Sequence, residues 1–222
     1  PRVSPHRAVL FIVVAELFGT SLWFSANGAA ADLTRAWGLT PAQLGHLTMA
    51  VQAGFIAGTL AFVVSGFADR FRASHIFIAS AVVGAACNAG FALLCDNVSQ
   101  AIVFRFATGF CLGGIYPFGM KLVVGWEPEK TGQALGWLVG TLVLGKATPF
   151  LIRALGAAWN WQAVVLTSSG LALLAAVLVA GGVVPLFWLA RQRTGSSAAG
   201  WALAVAYIFN IEMQNAVMFD WN

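Results

Sequence analysis

The sequence predicts an all-α integral membrane bundle, and three observations carry that prediction. Six apolar stretches, each about as long as a bilayer-crossing helix, follow one another between Ala8 and Leu189. The chain is 59% hydrophobic and only 9% charged, with a mean hydropathy of +0.82, a composition no soluble core requires. The short loops between the stretches carry their basic residues asymmetrically. A transmembrane helix needs roughly 20 mostly apolar residues to cover about 30 Å of hydrocarbon, and each stretch reaches that length.

The first span is expected over residues 8–30 and reads as a helix that stays, since it is long and followed by further spans. The loop 31–40 ends at Pro41, a good first-turn residue, which opens a second span to residue 66. The polar hinge 68–75 leads to a third span, 76–94, and residues 96–100 make a tight turn. A fourth span covers 101–125, the loop WEPEKTGQ precedes a fifth at 134–155, and a sixth runs from 161 to 189. The domain reading is therefore a six-helix bundle over 1–189, a polar linker over 190–198, and an incomplete seventh span over 199–222, interrupted by Glu212.

Short cytoplasmic loops are enriched in Lys and Arg. Arg2, Arg7, Arg70, Arg72, Lys130, Arg191 and Arg193 fall on one side and Arg35 and Arg153 on the other, so the N-terminus is expected in the cytoplasm. The net charge of +4 forms no run or stripe, which argues against a nucleic-acid partner. Cys87, Cys95 and Cys111 show no metal-ligand spacing and read as packing residues. No GxSxG, HExxH, paired haem histidines, P-loop or dinucleotide fingerprint is present. Neither an enzyme, a metal site nor a cofactor is expected.

Small residues at four-residue spacing let membrane helices approach closely, and Gly54/Gly58, Gly109/Gly113 and Gly136/Gly140 have that spacing. Gly113, Gly114 and Pro117 in span four, and Gly145 and Pro149 in span five, are expected as helix breaks or gating points, with plain kinks as the alternative. Trp23, Trp126, Trp159, Trp161, Trp188 and Trp201 fall near span ends and fit an interfacial aromatic belt. Charge at membrane depth costs on the order of 3 kcal/mol or more, so such groups normally face a cavity or a partner. Glu16, Arg105, Lys146 and Glu212 are the candidates. Glu16 reads either as a proton carrier or as the salt partner of a neighbouring basic group. Arg105 and Lys146 read either as site residues or as snorkelling side chains, and Lys121 as an interfacial anchor.

Two segments carry a family resemblance. Ser65-Gly66-Phe67-Ala68-Asp69-Arg70-Phe71-Arg72 resembles the loop signature between the second and third spans of the major facilitator superfamily, with Ser65 and Arg72 where glycines are usual. Arg105-Phe-Ala-Thr-Gly109 is similar to that superfamily's arginine–glycine motif in span four, which is associated with proton coupling. The continuation Gly113 to Lys121 resembles the cyanate and nitrate permease-like branch, and Gly140 to Pro149 looks like the glycine–proline motif of span five.

The resemblance implies two inverted three-helix repeats facing a second bundle across a central cavity. It implies a secondary active transporter of a small solute, an organic or inorganic anion, proton-coupled and working by alternating access in a bacterial inner membrane. In that reading Glu16, Arg105 and Lys146 serve substrate and proton coupling, while Asp69 and Arg70 form a cytoplasmic latch. The competing expectation is a truncated half-transporter kept as a structural subunit of a larger respiratory or photosynthetic membrane complex. Besides lipid, the partners are a small-molecule substrate and either a second six-helix bundle or that complex.

Overall fold

The computed structural model describes residues 5–156 and 159–180, all of whose regular elements are helical. The last part of the expected sixth span, the linker 190–198, Glu212 and the seventh span lie outside the described residues. In chain order the helices are α1 (Pro5–Thr20), α2 (Ser25–Gly28), α3 (Ala30–Trp37), α4 (Pro41–Val64), α5 (Phe67–Arg70), α6 (Ala73–Leu94), α7 (Val98–Trp126), α8 (Thr131–Leu155) and α9 (Trp161–Ala180). Five of them, α4, α6, α7, α8 and α9, are long and apolar enough to cross a membrane, and α1 contributes a shorter apolar helix, Ala8–Thr20.

Local chemistry fixes the ends. Gly38 closes α3 with φ 64°, a left-handed turn that an L side chain resists. Thr40 then caps α4: its hydroxyl accepts from the Gln43 backbone N–H at 3.3 Å, while the Gln43 side chain accepts from the Thr40 N–H at 2.9 Å, with Pro41 in the first turn. Asn97 starts α7 by accepting from the Gln100 N–H at 3.0 Å, and Asn160 starts α9 by accepting from the Ala163 N–H at 2.9 Å.

Packing centres on α7, which lies between α4 and α6 and also touches α1 and α8. The α4–α7 seam is close because it is lined by glycine. A Cβ at Gly54 or Gly58 would collide with the backbone of Phe106 or Phe110, and one at Gly109 or Gly113 with the backbone of Val51 or of Gly58 and Thr59. Span one packs on span five as span four packs on span two, the exchange expected of two three-helix repeats related by a two-fold axis. By contrast, among the described residues nothing lies within 4 Å of a Cβ placed at Gly136 or Gly140, so that pair makes no seam with them.

Two expectations need correction. The first span is not one helix: α1 ends at Thr20, a turn follows over residues 21–24, and α2 is a separate piece. Conversely, Pro117 and Pro149 do not interrupt their spans, since α7 and α8 run through them. Gly113, Gly114 and Gly145 lie within these continuous helices at close contacts. A side chain at 114 would strike Ser80, and one at 145 would strike Thr20 and the Leu17 carbonyl. The physical reason is tertiary: a proline removes one backbone donor, whereas the broken turn gains acceptors and donors from three other helices.

The two long helices beside the break are thinly covered. Buried residues make up 22% of the apolar window of α4 and 17% of that of α8, against 56% and 50% for α6 and α7. Among the described residues, α4 and α8 therefore each leave most of their apolar surface uncovered.

Candidate functional site

The break in span one frees backbone groups in an apolar interior, and each must find a partner. The Thr20 hydroxyl donates back to the Glu16 carbonyl at 2.7 Å, and the Ser21 hydroxyl to that of Phe18 at 2.7 Å. The carbonyls of Leu22 and Trp23 are taken by Arg105, reaching across from α7. Its Nη1 donates to Leu22 O at 3.1 Å and its Nη2 donates to Trp23 O. The same Nη1 lies 3.0 Å from Ser25 Oγ and 3.1 Å from Asn88 Oδ1. Asn88, on α6, completes the hub by donating to the Val165 carbonyl and to Ser169 Oγ, both at 3.0 Å on α9. Arg105 is 0% exposed. Among the described residues no carboxylate bonds to it, and its charge is met by neutral dipoles and by the Phe91 ring, 6.0 Å away.

Trp23 carries the break outward. Its indole N–H donates to Gln52 Oε1 at 3.2 Å, its ring centroid lies 4.7 Å from that of Phe55, and the Lys146 ammonium sits 4.1 Å over the ring. Beside it, Asn27 donates to Thr48 Oγ1 at 2.8 Å. Lys146, Gln52, Asn27 and Thr48 are all partly exposed, whereas Trp23 is buried. Gln52 is at the middle of the 24-residue α4, which places this cluster near mid-membrane depth. A partly exposed cation, an aromatic face and two amides can together grip an anion attached to a flat ring.

Glu16 lies elsewhere. Its carboxyl group packs against Gly119 and near Leu138. Gly119 is fourteen residues beyond Arg105 on α7, about 21 Å along a helix, so Glu16 is not the counter-ion of Arg105. Glu16 is 0% exposed, and neither carboxyl oxygen has a hydrogen-bond partner among the described residues. An ionised carboxylate in an apolar interior is costly unless it is paired.

At the end of the bundle near Glu16, Lys121 donates to the Ala68 carbonyl at 2.5 Å and lies 4.0 Å from Asp69. The loop signature thus docks onto α7 through a lysine that the sequence presented as an anchor, while Arg70 is exposed at the end of α5. At the opposite end, Asp32 pairs with Arg153 at 2.9 Å and Arg35 at 2.7 Å, tying α3 to α8. Trp23 and Trp161 are buried inside the bundle and do not belong to an interfacial belt. Three site residues escaped sequence reasoning: Asn88, Gln52 and Asn27. Their signal was an amide at depth in an apolar span, which deserves the same scrutiny as a charge.

An apolar helical bundle with a broken first span and a polar, aromatic cluster near the middle of α4 defines a polytopic membrane protein. The chain belongs to the Major Facilitator Superfamily, whose profile matches residues 9–203. It is 34% identical over 122 residues to the niacin transporter NiaP of Acinetobacter baylyi, a match covering 50% of this chain and 27% of that protein. It is 31% identical over 157 residues to the 4-hydroxybenzoate transporter PcaK of the same organism, covering 66% and 32%. The PcaK of Pseudomonas putida is 29% identical over 171 residues, covering 71% and 32%. The chain thus spans about a third or less of the length of each of these relatives.

Proposed function

We propose that this chain supplies the N-terminal bundle of a proton-coupled secondary transporter for small ring-bearing carboxylates, working by alternating access. The observation that carries the reading is the Lys146 ammonium held over the Trp23 ring on the partly uncovered side of the bundle. A carboxylate would pair with Lys146, its ring would lie against the Trp23–Phe55 aromatic pair, and Gln52 and Asn27 would bond ring substituents. Niacin and 4-hydroxybenzoate, the solutes named for the relatives, are both acids of this kind. The cyanate and nitrate permease-like assignment would use Lys146 but give the aromatic pair no role, and for that reason it ranks second.

Glu16 is the proposed proton carrier and Lys146 the substrate cation. The Asp69–Lys121 contact is the proposed latch at the cytoplasmic end, with the N-terminus in the cytoplasm as the basic-residue asymmetry requires. The membrane is the bacterial inner membrane. A second six-helix bundle would cover α4 and α8. Those same thinly covered faces would serve a subunit of a larger membrane complex, and transport measurements separate the two. The test is uptake of labelled 4-hydroxybenzoate, niacin and nitrate into liposomes holding the full-length protein, with and without an inward proton gradient. Gradient-driven accumulation of the ring acids and none of nitrate is expected. Gradient-driven uptake of nitrate alone would move the protein to the inorganic-anion branch, and no uptake of any of them would favour the subunit reading.

A further inference from the structure

We propose that Arg105 is a positioning residue: it holds the broken turn of the first span so that Trp23 presents its ring to Lys146, and it touches neither solute nor transported proton. This rests on the substrate site proposed above.

Burial and geometry both argue for it. Arg105 is 0% exposed, and its two terminal nitrogens are committed to the Leu22 and Trp23 carbonyls, Ser25 Oγ and Asn88 Oδ1. The guanidinium fork suits two successive carbonyls of an unwound turn in a way a single ammonium does not. A solute could reach Arg105 only after those bonds were broken inside an apolar core. The residue is also about 21 Å along α7 from the level of Glu16, too far to exchange a proton with it directly. What Arg105 does control is the backbone of Trp23, whose side chain points away from the hub to Gln52 and Lys146. Asn88 extends the clamp to α9 through Val165 and Ser169, so the turn is fixed from three helices at once.

A residue acting through Trp23 should share its energetic consequences with Trp23. In liposomes holding the full-length protein, Arg105→Lys is expected to raise KM for 4-hydroxybenzoate about tenfold while Vmax stays within about twofold, the signature of weakened ground-state binding. The proton-to-substrate ratio stays unchanged. Trp23→Phe raises KM similarly, and the double variant is no worse than the weaker single one. Additive effects, an unchanged KM, or an altered proton ratio would overturn the proposal. Should Arg105→Lys fail to fold, Asn88→Ala, which removes one buttress of the hub, is read in the same cycle with the same expectations. A second readout needs no substrate: hydrogen exchange over residues 21–25 quickens in Arg105→Lys or Asn88→Ala but not in Lys146→Met. Unchanged exchange there refutes the clamp whatever the protein carries. Absence of 4-hydroxybenzoate uptake by the unaltered protein would instead refute the substrate reading.

Discussion

Arg105 and Glu16 are both charged residue types, both 0% exposed and both set in the same apolar bundle, yet their surroundings are opposite. Arg105 has four oxygen acceptors drawn from the first span and α6. Neither oxygen of Glu16 has a hydrogen-bond partner among the described residues. The difference follows from what each group can do about its charge. A guanidinium stays protonated in proteins, so the fold must solvate it with dipoles. A carboxyl can shed its charge by taking a proton, so it tolerates an apolar site in that form and becomes costly only when the proton leaves. One group therefore keeps its charge and is solvated by dipoles, while the other is of a kind that can shed its charge.

The largest expected effect comes from removing the permanent charge's contacts. Arg105→Met strips the Trp23 carbonyl of its side-chain donor and takes one donor each from the Leu22 carbonyl, Ser25 and Asn88, and with about 1–3 kcal/mol for each buried acceptor left short it should cost about 3 kcal/mol or more. Thermal unfolding in detergent should show a collapse in the fraction of folded protein, and a melting temperature equal to that of the unaltered protein would contradict the solvation argument. Next is Gly119→Ala, whose new methyl group meets the Glu16 carboxyl. Overpacking of this kind costs about 1–3 kcal/mol, and it should lower both the melting temperature and proton-driven uptake. Lys146→Met should leave stability nearly unchanged, because the ammonium is partly exposed, and raise KM for a ring acid about tenfold. An unaltered KM would remove Lys146 from the site. The smallest effect is expected at Gly140→Ala, which meets no neighbour among the described residues and should shift stability by less than about 0.5 kcal/mol. A large loss there would show that another protein body packs against α8.

The membrane-spanning pattern was legible because hydrophobic length and capping are local. Thr40-Pro41-Ala42-Gln43 announces a helix start, and the apolar runs announce its length. The break at residues 21–24 was not legible, since Ser-Leu-Trp-Phe contains neither glycine nor proline. Its freed Leu22 and Trp23 carbonyls are met by Arg105, 83 and 82 residues away in the chain. Pro117 and Pro149 lie inside continuous helices, as the plain-kink alternative expects: a proline removes one local bond, and the helix runs on through it. Of the candidate site, the charges were visible as residues out of place in apolar sequence. Their pairing was not, because Glu16 and Arg105 look like natural partners until α7 is seen to separate them.

The contrast between a permanent and a conditional charge is tested most directly by Glu16→Gln, which mimics the protonated acid in shape and neutrality. The measurement compares, in liposomes, substrate exchange at equal pH with accumulation driven by a proton gradient. Exchange within about twofold of the unaltered protein, together with loss of gradient-driven accumulation, is the predicted result. Accumulation that survives the substitution would show that the coupling proton is carried elsewhere and that the partnerless carboxyl of Glu16 has no part in transport.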